Sequence, residues 1–191
     1  SAVTDMAGQR TSCTRNGIGW IETVTRPGYG TTLLGSDNWG RPTSTTHPDG
    51  SSTSAEYDLE DNVLSATDEA LRTHLFTYDA AGRLTTASNP RGDTEVYGYN
   101  GNGWLTSVQN GRGYTRTYGY TLRGDLRQTT LPDGSYEAWA FDGNGNTTIR
   151  FVPDYPVTYS IGYAYDANGR MTLVDYPTGT DTAIQYNLID Q

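Results

Sequence analysis

The stretch Tyr78-Asp79-Ala80-Ala81-Gly82-Arg83-Leu84-Thr85 returns as Tyr165-Asp166-Ala167-Asn168-Gly169-Arg170-Met171-Thr172, and in weaker form through the whole 191-residue sequence. The Tyr-Asp position recurs at residues 57, 78, 99, 120, 141, 165 and 186, with gaps of 21, 21, 21, 21, 24 and 21. Counting back from residue 57 by 21 reaches residues 36 and 15. A fixed period of this length is typical of repeat proteins. We therefore predict a single array of about nine repeats over residues 1–191, with anchors near 15, 36, 57, 78, 99, 120, 141, 165 and 186.

Each period carries two turn signals. Glycine stands four residues after most anchors, and proline stands twelve residues after many of them, as in Pro132-Asp133-Gly134. Proline and aspartate favour the corners of a turn, and glycine accepts the positive φ that ends it. The runs between the turns are too short for helices and rich in Thr, Tyr and Val, so each repeat is predicted to be a β-hairpin.

Aromatic residues two positions apart mark the second strand of most repeats, as in Tyr97 and Tyr99. A spacing of two places both side chains on one face of a strand, where pairs from successive repeats can pack together. We expect the repeat to be carried by Tyr57, Asp58, Tyr78, Asp79, Gly82, Tyr97, Tyr99, Gly103, Tyr118, Tyr120, Gly124, Trp139, Phe141, Asp142, Tyr163, Tyr165, Asp166 and Gly169.

These motifs resemble the Rhs/YD-repeat family, which includes bacterial Rhs polymorphic toxins, the C component of insecticidal toxin complexes, wall-associated proteins and teneurins. The resemblance covers essentially the whole chain. It implies an all-β fold in which a repetitive antiparallel hairpin meander forms a spiralling sheet, a shell segment or a β-solenoid-like ribbon. It also implies a shell that can enclose a toxin or other cargo, and an extracellular or cell-surface location in a bacterium. Family members that release a cargo carry an Asp-Pro-x-Gly type motif, which this sequence lacks, so only the scaffold role is carried over.

Composition excludes several classes of function. The net charge of −9 disfavours binding to nucleic acid, and no apolar run approaches the length needed for membrane insertion. Cys13 is the only cysteine, so an internal disulfide is impossible, and no cofactor is expected. Because the sequence begins and stops in mid-repeat, we expect flanking repeats or further copies of the same protein as partners.

Local motifs offer other interpretations. Trp20, Trp39 and Trp104 lie near turns and could stack on a glycan. Two Arg-Gly-Asp tripeptides, at 91–93 and 123–125, fall on repeat columns and are read as turns. The same holds for the calcium-loop-like residues 142–146, which overlap a glycosylation sequon at Asn146. His47, His74 and Cys13 are not expected to form a catalytic group. The best candidates for a local function are residues 58–74, where 68–72 is predicted as a helical turn or longer loop, and the insertion within 151–161.

The sequence therefore favours a non-enzymatic structural scaffold, a segment of a secreted or cell-surface β-shell. Two alternatives stay open. One is a self-assembling extracellular filament in which open strand edges pair end to end. The other is a carbohydrate-binding module that uses the exposed tryptophans.

Overall fold

The chain folds into antiparallel β-strands joined by tight turns. The computed structural model describes residues 2–4, 6, 8–154, 157–177 and 182–184, and within these it contains 18 strands and no helix. The predicted all-β hairpin meander is thereby confirmed. Since the described residues form no helix, none has the length and apolar character needed to cross a membrane in helical form.

The chain divides into two compact units, Ser1–Glu95 and Val96–Gln191. In the first, consecutive strands pair in chain order; they are β1 (Ala2–Thr4), β2 (Arg10–Arg15), β3 (Ile21–Arg26), β4 (Gly30–Ser36), β5 (Pro42–Thr46), β6 (Ser52–Tyr57), β7 (Val63–Thr67), β8 (Thr73–Tyr78) and β9 (Leu84–Ser88). Strand β10 (Thr94–Tyr99) begins at the end of this unit.

The second unit continues from β10 with the same chain-order pairing. Its strands are β11 (Leu105–Gln109), β12 (Thr115–Tyr120), β13 (Leu126–Thr130), β14 (Tyr136–Phe141), β15 (Thr147–Asp154), β16 (Val157–Tyr165), β17 (Met171–Asp175) and β18 (Thr182–Ala183). The single array over residues 1–191 stays a prediction, and its anchor at residue 186 lies outside the described residues.

A β-bulge accompanies every Tyr-Asp type turn of the described chain. In β8 and β9, Thr77 is opposite Thr86 but Tyr78 is opposite Leu84, so Thr85 is an extra residue. The same shift occurs between β2 and β3, β4 and β5, β6 and β7, β10 and β11, β12 and β13, β14 and β15, and β16 and β17. One bulge per repeat is therefore a regular part of this fold.

The two faces of the first unit differ in chemistry. Phe76 and Tyr78 lie on one face of β8, while Thr73, Leu75 and Thr77 lie on the other, because side chains alternate along a strand. Paired residues share a face, so the register extends this second face across β2 to β9. We call it the hydroxyl face; 15 of its 19 paired positions are Ser12, Thr14, Thr23, Thr25, Thr31, Ser44, Thr46, Ser52, Ser54, Ser65, Thr67, Thr73, Thr77, Thr86 and Ser88.

No side chain in the described part of the chain is fully buried. Each unit is a meander of strands rather than two layers packed around a core, so its stability comes from contacts between neighbouring hairpins. Cross-strand hydroxyl pairs contribute to these contacts, such as Thr14 with Thr23 at 2.7 Å and Thr25 with Thr31 at 2.8 Å.

Two regions depart from the sequence-based expectation. The predicted helical turn or longer loop at 68–72 is wrong, because Asp68 and Arg72 close the same turn as in other repeats and Leu71 takes the left-handed conformation, with φ 58°. The insertion within 151–161 lengthens β15 and β16 to 8 and 9 residues, and their pairing runs to Asp154 opposite Val157. A local function for either region stays a prediction.

Candidate functional site

The Tyr-Asp turn is the most regular chemical feature of the molecule. In the turn at Asp79, the Asp79 N–H donates to the Arg83 carbonyl and the Gly82 N–H donates to the Asp79 carbonyl, both at 2.9 Å. One carboxylate oxygen, Oδ1, accepts the N–H groups of Ala81 and Arg83 at 2.9 and 3.1 Å. The other, Oδ2, accepts the Arg83 Nε at 2.8 Å. The aspartate carboxylate thus accepts hydrogen bonds from turn N–H groups that would otherwise bond to water, which explains why aspartate recurs at this position of the repeat.

The hydrogen bonds of the turn also lower the pKa of its aspartates. Hydrogen bonds from the side chain and then the backbone of Arg83 hold the pKa of the Asp79 carboxyl below its usual value of 3.8. The pKa of Asp58 is lowered in the same way, chiefly by the side-chain amide of Asn62. Asn100 supplies the turn acceptor in another repeat without a charge, since its Oδ1 accepts the N–H groups of Asn102 and Trp104 at 3.0 Å. At these three anchors the turn therefore has a side-chain acceptor, which is charged at Asp58 and Asp79 and neutral at Asn100.

The tyrosine before this aspartate links consecutive repeats. The hydroxyl of Tyr78 donates to the carbonyl of Val63 at 3.0 Å, and Val63 is the first strand residue after the preceding Tyr-Asp turn. The equivalent bonds join Tyr57 to Pro42 at 2.9 Å, Tyr120 to Leu105 at 2.7 Å and Tyr165 to Thr147 at 2.8 Å. Phe141 occupies the same position without a hydroxyl. The Tyr-Asp dipeptide therefore closes its own turn and fastens it to the repeat before.

Trp20 and Trp104 link repeats in the other direction. A Cβ atom built on Gly40 would overlap the indole of Trp20, and one built on Gly124 would lie 2.9 Å from Cζ2 of Trp104. Each indole thus lies against the turn glycine of the next repeat. Both tryptophans are half-buried, and Trp104 also contacts Tyr120, with ring centroids 5.3 Å apart.

The three candidate glycan-binding tryptophans therefore have different environments. Trp20 and Trp104 each have a ring surface covered by a neighbouring turn, whereas Trp39 is 66% exposed. Trp20 and Trp39 lie in turns of neighbouring repeats of the first unit, and Trp104 lies in a turn of the second unit.

The two Arg-Gly-Asp tripeptides occupy different surroundings. In the second, Arg123 donates to the carbonyls of Gly143 and Asp142, at 2.8 and 3.2 Å, so it is another link between repeats. In the first, residues 91–93 form an exposed turn in which the Asp93 carboxylate accepts the side-chain amide of Asn89 at 3.0 Å. Both tripeptides have turn geometry, as their repeat columns indicated.

Asp142 and Asn146 are also occupied by the turn. The Asp142 carboxylate accepts the N–H groups of Asn144 and Asn146 and the side-chain amide of Asn146, each at 2.9 Å. The amide nitrogen that a glycan would modify is thus a hydrogen-bond donor within the fold. Among the described residues, no group of three or more His, Cys, Asp or Glu side chains is arranged to hold a metal ion.

His47, His74 and Cys13 lie apart. Cys13 is a half-buried residue of β2, paired with Val24, and His74 lies on β8 opposite Ala66. His47 begins the turn after β5, and its Nε2 lies 3.1 Å from a carboxylate oxygen of Glu69 in the corresponding turn of the next repeat. The structure therefore assembles none of the three into a nucleophile–base pair.

A longer correspondence of four repeats escaped the sequence reasoning. Asn16-Gly17-Ile18-Gly19-Trp20 matches Asn100-Gly101-Asn102-Gly103-Trp104, 84 residues later. Asp58 and Asn62 likewise match Asp142 and Asn146, again 84 residues apart. The sequence feature that reveals it is the residue five positions after each anchor. The side chain at this position contacts the turn glycine of the next repeat.

Residues 49–154 match the model of the Teneurin YD-shell family. No curated protein sequence matches the chain. Several solved structures have a similar fold at low sequence identity. The crystal structure of TcdB2-TccC3-Cdc42 has a TM-score of 0.62 and 14% identity over 97% of this chain, and that of TcdB2-TccC3-TEV has 0.61 and 15% over 96%. The Photorhabdus luminescens Tc holotoxin pore has a TM-score of 0.51 and 13% identity over 91%. In all three, this chain covers 12% of the matched chain's length.

Proposed function

The chain belongs to the Teneurin YD-shell family, and from this premise we propose that it is a non-enzymatic wall segment of a secreted or cell-surface β-shell that encloses a toxin or another cargo domain. Its partners are then the flanking repeats or further copies of the same protein, together with the enclosed cargo. The role of the residues at the Tyr-Asp turns is to join repeats.

The bond to the preceding repeat made by the anchor tyrosines Tyr57, Tyr78, Tyr120 and Tyr165 carries this proposal. The Tyr57 hydroxyl donates to the Pro42 carbonyl, and the Tyr78 hydroxyl donates to the Val63 carbonyl, so in both bonds donor and acceptor belong to successive repeats. A bond of this kind can form again with every repeat added, which is what a wall of variable extent requires.

The acidic side chains of the turns support a structural role as well. In Asp79 and Asp166, both carboxylate oxygens accept hydrogen bonds from turn donors, including the Nε of Arg83 and Arg170 at 2.8 Å. Their lowered pKa values keep them ionised as acceptors, whereas a general acid needs a raised pKa.

The test is electron microscopy of the untruncated particle from its source, combined with limited proteolysis. Closed hollow bodies with internal density, and a segment that resists protease until the particle is opened, are the expected result. Long filaments with a regular axial repeat would contradict the shell and favour pairing of strand edges. Hollow bodies without internal density or a protected segment would contradict the cargo and leave the wall role standing.

A further inference from the structure

Strand β14 of the second unit has small side chains along one face. Ala138 lies opposite Gln128 of β13 and opposite Phe151 of β15, and Ala140 lies on the same face, opposite Ile149 of β15. Because paired residues share a face, the longer side chains of β13 and β15 stand on either side of the two alanine methyl groups. This face therefore has a trough that follows β14.

The two walls of the trough differ in chemistry. Arg127 and Gln128 line the wall on β13, and Phe151 lines the wall on β15. Tyr136, the first residue of β14, lies at one end, and the exposed Leu122 lies in the turn at the other end. The cavity has a volume of about 600 Å³ and is open to solvent. A ligand in it meets a polar side and an apolar side.

The trough holds two arginines and no acidic residue among the described side chains that line it, although the protein has a net charge of −9. Arg123 is occupied, because it donates to the carbonyls of Gly143 and Asp142. Within the described part of the chain, the guanidinium of Arg127 makes no hydrogen bond or ion pair. Arg127 is therefore available to an anionic group of a ligand.

We propose that this trough binds a free fatty acid, a carboxylate with an extended apolar chain. The alkyl chain lies on Ala138 and Ala140 and against the ring of Phe151, which removes apolar surface of both partners from water. The carboxylate binds the Arg127 guanidinium, whose parallel N–H groups match its two oxygens. Four residue steps along β14, from 136 to 140, give the chain a floor about 13 Å long.

The backbone of β14 favours a fatty acid over a peptide segment as the occupant. Its N–H and C=O groups already pair with β13 and β15. A peptide in the trough would lose water from its own backbone without gaining main-chain hydrogen bonds, and this loss is costly. An alkyl chain has no polar groups to satisfy. The inference is independent of the shell proposal, because the site needs only β13 to β15 and the turn before β13.

The test is titration of the full chain with octanoate below its micelle concentration, followed by calorimetry and by the amide NMR shifts of β13 to β15. Octanol, octylammonium and butanoate are the matched ligands that lack the charge, reverse it or lack the apolar chain. We expect octanoate to bind more tightly than all three and to shift the β13 to β15 amides. Arg127→Gln should weaken octanoate binding by about tenfold or more, and Ala138→Leu, which fills the floor, by a similar factor.

Arg116→Gln is the matched control, because it removes the same charge from an exposed side chain on the other face of the sheet. Its neighbour Thr117 pairs across β13 with the trough face, so Arg116 points away from it. This variant should bind octanoate like the wild type. Circular dichroism and the urea midpoint verify that each variant is folded.

Several results would overturn the proposal. They are absence of octanoate binding, equal or tighter binding of octanol or octylammonium, NMR shifts confined to other strands, wild-type affinity in Arg127→Gln, or an equal loss in Arg116→Gln. Tighter binding of a capped leucine-rich peptide with one glutamate would overturn the choice of a free fatty acid as the occupant. None of these results bears on the shell, which is tested by the form of the native particle.

Discussion

The contact between Trp20 and Gly40 can be measured with a pair of matched glycine substitutions. Gly40 and Gly50 have nearly the same backbone, with φ of 84° and 87°, and both lie in turns of the first unit. Alanine at either position must adopt a left-handed conformation, at a cost of roughly 1–2 kcal/mol. A Cβ on Gly50 has no atom within 4 Å, whereas one on Gly40 overlaps the Trp20 indole. Displacing that indole adds about 1–3 kcal/mol, the usual cost of overpacking. We therefore expect Gly40→Ala to cost about 2 kcal/mol more than Gly50→Ala.

Urea unfolding of the 191-residue chain, followed by circular dichroism, gives these free energies from the midpoint and slope of each transition. The same Gly40→Ala change in a Trp20→Ala background supplies the control, because the indole is then absent. In that background its cost should fall to that of Gly50→Ala. Equal costs for Gly40→Ala and Gly50→Ala in the wild-type background would refute the reasoning that Trp20 occupies the space above Gly40.

Three further outcomes are expected. Leu71→Gly should raise the free energy of unfolding by about 1 kcal/mol in urea titrations, because Leu71 is 78% exposed and strained at φ 58°; a loss of stability would contradict this. Tyr78→Phe should cost about 1 kcal/mol through the lost bond to Val63, while Tyr29→Phe, at an exposed turn, should cost nothing measurable. Because the folded pKa of Asp79 lies below its usual value of 3.8, the stability it contributes is present above that pH and lost below it; Asp79→Asn should flatten the acid limb of the thermal midpoint, and an unchanged limb would argue against this.

Much of the fold could be predicted because the residues that form the turns recur at fixed positions in the sequence. Proline, aspartate and glycine at fixed spacing identify two turns in each period, and the runs between them are too short for anything but strands. The prediction was wrong at 68–72, where Leu71 replaces the expected glycine. There the Asp68 carboxylate accepts the N–H groups of Ala70 and Arg72, as aspartate does in the other turns, and these hydrogen bonds offset the strain of Leu71.

The bulge could not be read from any single residue, because its extra position holds Thr85 in one repeat and Leu64 in another. It was nevertheless implied by the odd period. Tyr78 opposite Leu84 and Thr67 opposite Thr73 close turns of equal length. If side chains alternated strictly and both turns had the same length, residues that repeat on one face would be separated by an even number of positions. The observed period is 21, so one extra residue per repeat is needed to keep the aromatic pairs on one face.

The individual tryptophan environments depended on contacts that the sequence does not contain. Trp20 and Trp39 both lie in Tyr-Asp turns but at different positions of the repeat, because Trp20 follows the turn glycine Gly19 and Trp39 precedes the turn glycine Gly40. Only the pairing of successive hairpins places Gly40 against Trp20 and leaves the outer side of Trp39 open. The sequence thus distinguishes the two positions, but the contacts of each indole depend on the neighbouring repeat and follow only from the structure.

A meander without a closed core places few restrictions on the number of repeats that its gene can encode. Within each unit, strands pair only with their neighbours in the chain. Recombination between misaligned copies can therefore add or remove whole repeats without forcing distant residues to adapt. In this architecture, evolution can change the extent of the protein before it changes the chemistry of any single turn.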